Sequence, residues 1–236
     1  MTDTSLSGRT ALVTGASRGI GAATAEALAA RGAHVILTAR TAGGLEEVEG
    51  RIHDAGGTAT IAPMDLIDGD SISRLAAAVG ERWPALDVLV LNAALLGTLS
   101  PVPAIDQKEL GRLLAVNVSA NAALLAAFDP HLRRSDGASV IGLTSSVAAS
   151  PRAYWGAYGA SKAALETLLA AYGDEMAAIS KVRVAIVDPG ATATKMRERA
   201  YPGEDQATLK APAVVGEAIA ALVAAGFETG HRVRIG

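Results

Sequence analysis

The sequence predicts an α/β fold built on a parallel sheet, and three observations carry that expectation. Short apolar runs of strand type, Thr10 to Thr14, His34 to Thr38, Thr58 to Pro63, Val88 to Leu91, Ala138 to Leu143 and Arg183 to Val187, alternate with stretches of helical character. The stretches between them are long enough for crossovers, so successive strands run parallel with right-handed connections. A glycine-rich turn, Gly15-Ala16-Ser17-Arg18-Gly19-Ile20-Gly21, follows the first strand at once and opens an alanine-rich segment reaching Arg31. In such folds ligands gather at the carboxyl ends of the strands.

Half of the 236 residues are hydrophobic, which supports a single domain over residues 1–236 with a substantial core. The net charge is −3 and the basic residues are scattered, so neither nucleic acid nor an anionic membrane is an expected partner. The absence of cysteine removes disulfide and thiolate chemistry and fits a reducing compartment. The first ten residues lack the apolar core of a signal peptide, and no later apolar run is read as a membrane span. A cytoplasmic location is expected. The four histidines lie far apart, without the spacing of metal ligands, and no metal is predicted.

Taken in order, the first strand and its glycine turn read as a pyrophosphate cradle. Glycine lets a ligand approach the backbone, and the free N–H groups at a helix start favour phosphate. The second strand ends at Ala39-Arg40, where a carboxylate would accept hydrogen bonds from an adenosine ribose. Here no acid is present, and Arg40 with Arg18 suits a 2′-phosphate, which favours NADP over NAD.

Leu45, Val48 and Ile52 predict a helix after the Gly43-Gly44 break. Met64-Asp65-Leu66 follows the third strand. Asp65 caps the next helix, over Asp68 to Trp83, or faces an adenine amino group. The fourth strand runs into Asn92-Ala93-Ala94. A helix from about Asp106 to Phe128 carries Asn117 in an apolar stretch, where its amide must find partners.

The fifth strand ends in Thr144-Ser145-Ser146, thirteen residues before Tyr158 counted from Ser145. Tyr158 and Lys162 stand four apart on one helix and share a face. An ordinary phenol titrates near about 10, and a neighbouring ammonium is expected to lower that value and make the pair a proton-transfer device. The plain alternative is a packed tyrosine and a solvated lysine. Leu165, Leu168, Leu169 and Tyr172 continue the same helix as an apolar stripe. After the sixth strand, residues 191–210 lack periodicity and are charged, and they read as a flexible loop over the site. A helix from about Pro212 to Ala225 and a strand from Arg232 to Ile235 close the chain.

With these residues assembled, the chain resembles the short-chain dehydrogenase/reductase family over nearly its whole length. Thr14-Gly15-Ala16-Ser17-Arg18-Gly19-Ile20-Gly21 matches the T-G-x-x-x-G-x-G cofactor turn, and Asn92-Ala93-Ala94 falls where N-A-G is usual. Asn117, Ser145, Tyr158 and Lys162 fill the catalytic set. Asp65 and Leu66 match the adenine pair, and Pro189, Gly190, Thr192 and Thr194 match the segment that receives the nicotinamide carboxamide. The resemblance implies a Rossmann-like, doubly wound sheet of seven parallel strands with helices on both faces. It implies a carbonyl–alcohol oxidoreductase in which Tyr158 transfers the proton and Lys162 also grips the nicotinamide ribose. Asn117 would hold a water, and the protein would be a homodimer or homotetramer acting on a small molecule. Ala94 in place of glycine leaves open how the loop accepts a Cβ. The sequence after Ser145 also leaves Ser146 as a candidate for the catalytic serine. A non-catalytic NADP-binding sensor or scaffold with this fold is the rival reading; an epimerase or dehydratase of the extended relatives has no room here for its substrate domain.

Overall fold

A computed structural model describes residues 4–236 of the chain. Seven strands form one sheet, β1 (Thr10–Thr14), β2 (His34–Ala39), β3 (Thr58–Pro63), β4 (Val88–Leu91), β5 (Ser139–Leu143), β6 (Arg183–Asp188) and β7 (His231–Arg234). Their order is β3-β2-β1-β4-β5-β6-β7 and every pairing is parallel. The chain reverses its direction of sheet growth between β1 and β4, which opens a crevice at their carboxyl ends. This is the doubly wound Rossmann-like sheet that the resemblance implied.

The strand sequences explain why both faces are covered. β1, β4 and β5 are buried throughout, so their side chains must pack alternately to either side. Ala11 and Val13 enter one core with the helices α1 (Gly19–Ala30), α2 (Ala42–Asp54) and α9 (Pro212–Ala225), where Leu28, Leu45, Val48 and Ile219 are almost wholly buried. Leu12 enters the other, against α3 (Gly69–Arg82), α5 (Ala120–Arg133) and α7 (Gly156–Ala177), with Phe128, Leu165 and Leu169 at its centre; α4 (Gln107–Leu114) leads into α5.

Four local differences from the sequence reading have physical causes. The α2 helix begins before Gly43-Gly44 rather than after it, and a Cβ at Gly44 would stand 3.0 Å from the Ser17 Cβ, so the pair allows helix and glycine turn to approach. The cap of α3 is Asp68, which accepts from the Asp70 and Ser71 N–H groups; Asp65 accepts only from Ile67 N–H. Between α4 and α5 lies a π-helical turn, Ala115–Ser119. The run Gln107–Arg133 thus forms one helical rod, and its length and apolarity would suffice for a membrane span, contrary to the reading from sequence. It lies instead against the sheet, where Leu113, Leu124, Phe128 and Leu132 are buried beside Asn117 and Asn121.

Candidate active site

At the carboxyl end of β1 the backbone turns at Gly15 (φ 66°) and again at Gly19 (φ 57°), both in the left-handed region that glycine tolerates. A Cβ on Gly21 would meet the Gly15 carbonyl oxygen at 2.3 Å. Ser17 is half-buried, Arg18 is exposed, and Ile20 packs against the first core. Arg18 stands at the N-cap of α1 without a side-chain cap, and the first turn contains no acid, so its N–H groups face outward without a side-chain acceptor. These features fit a pyrophosphate, the group that a dinucleotide would present there. Arg40 follows β2 and is exposed, and the uncapped start of α2, again without an acid in its first turn, lies beside it. That surroundings suit a further phosphate. Asp65 is exposed beyond β3, with Leu66 half-buried next to it.

Asn92 fixes this cradle from the next strand. Its Nδ2 donates to the Thr14 carbonyl (2.8 Å), while its own N–H and that of Ala93 donate to the Thr14 hydroxyl (both 3.0 Å). Ala94 accepts its Cβ without strain, because among the described residues only one non-glycine, Tyr154, has a positive φ. From the far side, Thr194 approaches Gly19, and Pro189-Gly190 is held by Lys210, whose ammonium donates to the Pro189 carbonyl (3.0 Å) and to that of Ile235. Thr192 is buried and donates to the Pro189 carbonyl at 3.1 Å.

Tyr158 and Lys162 lie in the first turns of α7, both buried, with the ammonium 5.8 Å from the phenol ring centre. Gly159 between them is needed for close approach, since its Cβ would stand 2.9 Å from the Val147 carbonyl of α6 (Ser146–Ala149). Lys162 donates to the Leu143 carbonyl at 2.8 Å. Burial pushes its pKa down to about 8, opposed by the Glu166 carboxylate one turn further on. The expected acidification of Tyr158 is not found. Burial pushes the phenol upward and the Asp188 carboxylate adds to the rise, because desolvation of the phenolate outweighs the attraction of a cation itself withdrawn from water.

The Asn117 side chain is committed to the protein. Its oxygen accepts from Leu95 N–H (2.7 Å), and its nitrogen donates to the Leu95 carbonyl (2.8 Å) and to Ser161 Oγ (3.0 Å). Ser161 in turn donates to the Tyr158 carbonyl at 2.7 Å. Both amide protons are thereby used, and the group ties the π-helical turn to α7. The two serine candidates are unlike each other. Ser146 Oγ accepts from Arg152 at 3.2 Å, whereas Ser145, extended at the start of α6, has no side-chain hydrogen bond among the described residues.

Comparison with known families matches residues 9–205 to the one described as short chain dehydrogenase. The chain belongs to the short-chain dehydrogenase/reductase family. It is 37% identical to the oxidoreductase YciK of Escherichia coli over 211 residues, 88% of this chain and 83% of that one. Among solved structures, a short chain dehydrogenase from Pseudomonas syringae superimposes with a TM-score of 0.96 at 37% identity, covering 99% of this chain and 97% of the other. Another, from Shigella flexneri and complexed with NADP, gives 0.93 at 34% identity, covering 100% and 99%.

Several residues of this short-chain dehydrogenase site escaped the sequence reading. Residues 191–210, expected to be irregular, contain the helix α8 (Lys195–Ala200), a 3-10 turn at Gln206–Thr208 and a bidentate Arg197–Glu204 ion pair. The sulfur of Met196 lies 3.9 Å from the Tyr158 hydroxyl, and Met196 joins Leu96, Val147 and Trp155 around that phenol. Glu166 accepts from Thr144 (2.5 Å) and Arg232 (2.6 Å), linking α7 to the end of β5 and to β7. Its signal was present in the sequence as a third member of the four-residue spacing that joins Tyr158 to Lys162.

Proposed function

We propose that the protein is an NADP(H)-dependent oxidoreductase that interconverts a carbonyl and an alcohol, with Tyr158 as the proton-transfer residue. The single observation that carries this reading is the buried Tyr158–Lys162 pair at the sheet's carboxyl end, on the far side of the crevice from a glycine cradle with no acidic cap. Arg40 without a neighbouring carboxylate, and a relative complexed with NADP, support the phosphorylated cofactor. NADPH, when bound, supplies the hydride that the carbonyl carbon receives.

The chain's own part is to deliver a proton to the carbonyl oxygen as that carbon is reduced. A phenol raised by burial is fully protonated at neutral pH and suits the donor's role. Lys162, held by the Leu143 carbonyl, stabilises the phenolate that proton donation leaves and would hold the nicotinamide ribose hydroxyls. Ser145, with its hydroxyl unengaged by protein, donates a hydrogen bond to the same carbonyl oxygen. Asn117 acts as a positioning residue through Ser161. A homodimer or homotetramer would form, as the family resemblance implies, through the helices that carry Asn117 and Tyr158, using the sides turned away from the sheet.

The experiment is to follow NADPH absorbance against a broad panel of ketones and aldehydes with the wild type and with Tyr158→Phe. Carbonyl-dependent oxidation by the wild type, reduced by about a hundredfold or more in the variant with NADPH affinity retained, is the expected result. Binding of NADPH with no turnover of any carbonyl would favour the sensor reading instead.

A further inference from the structure

Two arginines touch Tyr201, and they are partnered differently. Arg197 stacks on the Tyr201 ring at 3.8 Å, and its charge is matched by the two oxygens of Glu204. Arg152 donates to Tyr201 Oη (3.4 Å) and Ser146 Oγ (3.2 Å), both neutral, and has no carboxylate partner among the described residues. Glu204, the carboxylate that shares the surroundings of Tyr201, is occupied by Arg197. Arg152 is therefore an exposed guanidinium with donors to spare, bonded to the hydroxyl of Ser146, the residue that follows Ser145.

The turn that presents it is strained. Tyr154 has φ 72° and is the only non-glycine with positive φ among the described residues. Its carbonyl accepts from Ser100 N–H (3.1 Å), and Trp155 N–H donates to the Arg152 carbonyl (3.2 Å), so the conformation is fixed from both sides. Strain of this kind is concentrated where a chain must aim particular side chains. Here the side chains aimed are Arg152 and Trp155, whose ring lies 6.0 Å from that of Tyr158 and 5.7 Å from that of Tyr201. Between the proton donor and the guanidinium the wall is apolar, formed by Val147, Trp155 and Met196.

Resting on the carbonyl–alcohol reading above, we propose that Arg152 is the anion receptor of the substrate site and that the substrate is an apolar keto acid. Its carbonyl meets Tyr158 and Ser145, its hydrocarbon body lies along Trp155 and Val147, and its oxyanion takes two parallel hydrogen bonds from Arg152. Arg152 thereby sets specificity and transfers no proton.

The test uses the NADP-loaded protein with 5-oxohexanoate and 7-oxooctanoate, the phosphonates of the same lengths, and the methyl esters of the acids. Calorimetric affinity and, with NADPH, kcat and KM are measured for the wild type, Arg152→Gln and Arg152→Lys. An acid should bind the wild type more tightly than its ester, and Arg152→Gln should cost it about tenfold to a hundredfold, mostly in KM. The ester should lose far less, and Arg152→Lys should restore part of the affinity. Preference for the phosphonate over the carboxylate would overturn the choice of oxyanion. Equal losses for acid and ester, or no binding of either acid by the wild type, would overturn the role of Arg152. Turnover of other carbonyls in that case would leave the oxidoreductase reading standing, whereas acid binding that depends on Arg152 without any turnover would sink that reading alone.

Discussion

On the cofactor side of Tyr158 the chain folds into backbone shapes that short motifs dictate, whereas on the substrate side distant segments converge through their side chains. The cradle needs glycine at Gly15, Gly19 and Gly21, an uncapped helix start, and one asparagine to lock the turn. The proposed substrate wall draws Val147, Arg152, Trp155, Met196 and Tyr201 from three segments, with a strained turn and an ion pair. A site assembled in the first way tolerates little change, because its shape is the backbone itself. A site assembled in the second way changes specificity by exchanging side chains while the sheet stays as it is.

The largest expected effect lies on the cofactor side. Arg40 has no side-chain partner in the protein among the described residues, so its removal leaves the fold unharmed and would take away only what the proposed cofactor uses. Arg40→Ala should weaken NADPH by about tenfold to a hundredfold and NADH by much less, as read from fluorescence titrations of each. Equal losses would break the comparison by showing that this side does not distinguish the two cofactors.

That contrast also decides what could be read from the sequence. The bounds of β1, β3, β4 and α9 follow from local runs of apolar residues and punctuation by glycine and proline, and the structure reproduces them. The glycine turn was legible for the same reason. Contacts such as Met196 with Tyr158, or Glu166 with Thr144 and Arg232, join residues 22 to 66 apart, and no local pattern specifies them. The direction of the Tyr158 shift failed differently. Spacing gave the cationic neighbour, but burial, which outweighs it, is a property of the packed site.

Glu166 lies where the two sides meet, and a smaller effect is expected there. Its carboxylate favours the charged form of Lys162, which burial has already pushed down to about 8. Removing that carboxylate in Glu166→Gln lowers the Lys162 pKa further, so the cation is lost at a lower pH. The alkaline limb of the pH profile of kcat/KM should move toward acid, with about a threefold loss near the limb and little change well below it. An unmoved limb with a uniform loss at every pH would mean that Glu166 serves only to hold Thr144 and Arg232.

The smallest effect tests whether the substrate side is held under strain. A residue with a side chain costs roughly 1–2 kcal/mol in the left-handed region, and Tyr154, 59% exposed, recovers little of that through burial. Tyr154→Gly relieves this strain but enlarges the entropy of the unfolded chain, which offsets about 0.5–1 kcal/mol. The net should be a gain of about 0.5–1 kcal/mol, or roughly 1–4 °C in the thermal midpoint. A destabilised variant would show that the tyrosine ring, and not the backbone hydrogen bonds to Ser100 and Arg152, fixes the turn. If instead the variant is stabilised yet binds keto acids more weakly, the strain has the role of holding Arg152 in place, and stability has been given up for recognition at a position where glycine would have been the unstrained choice.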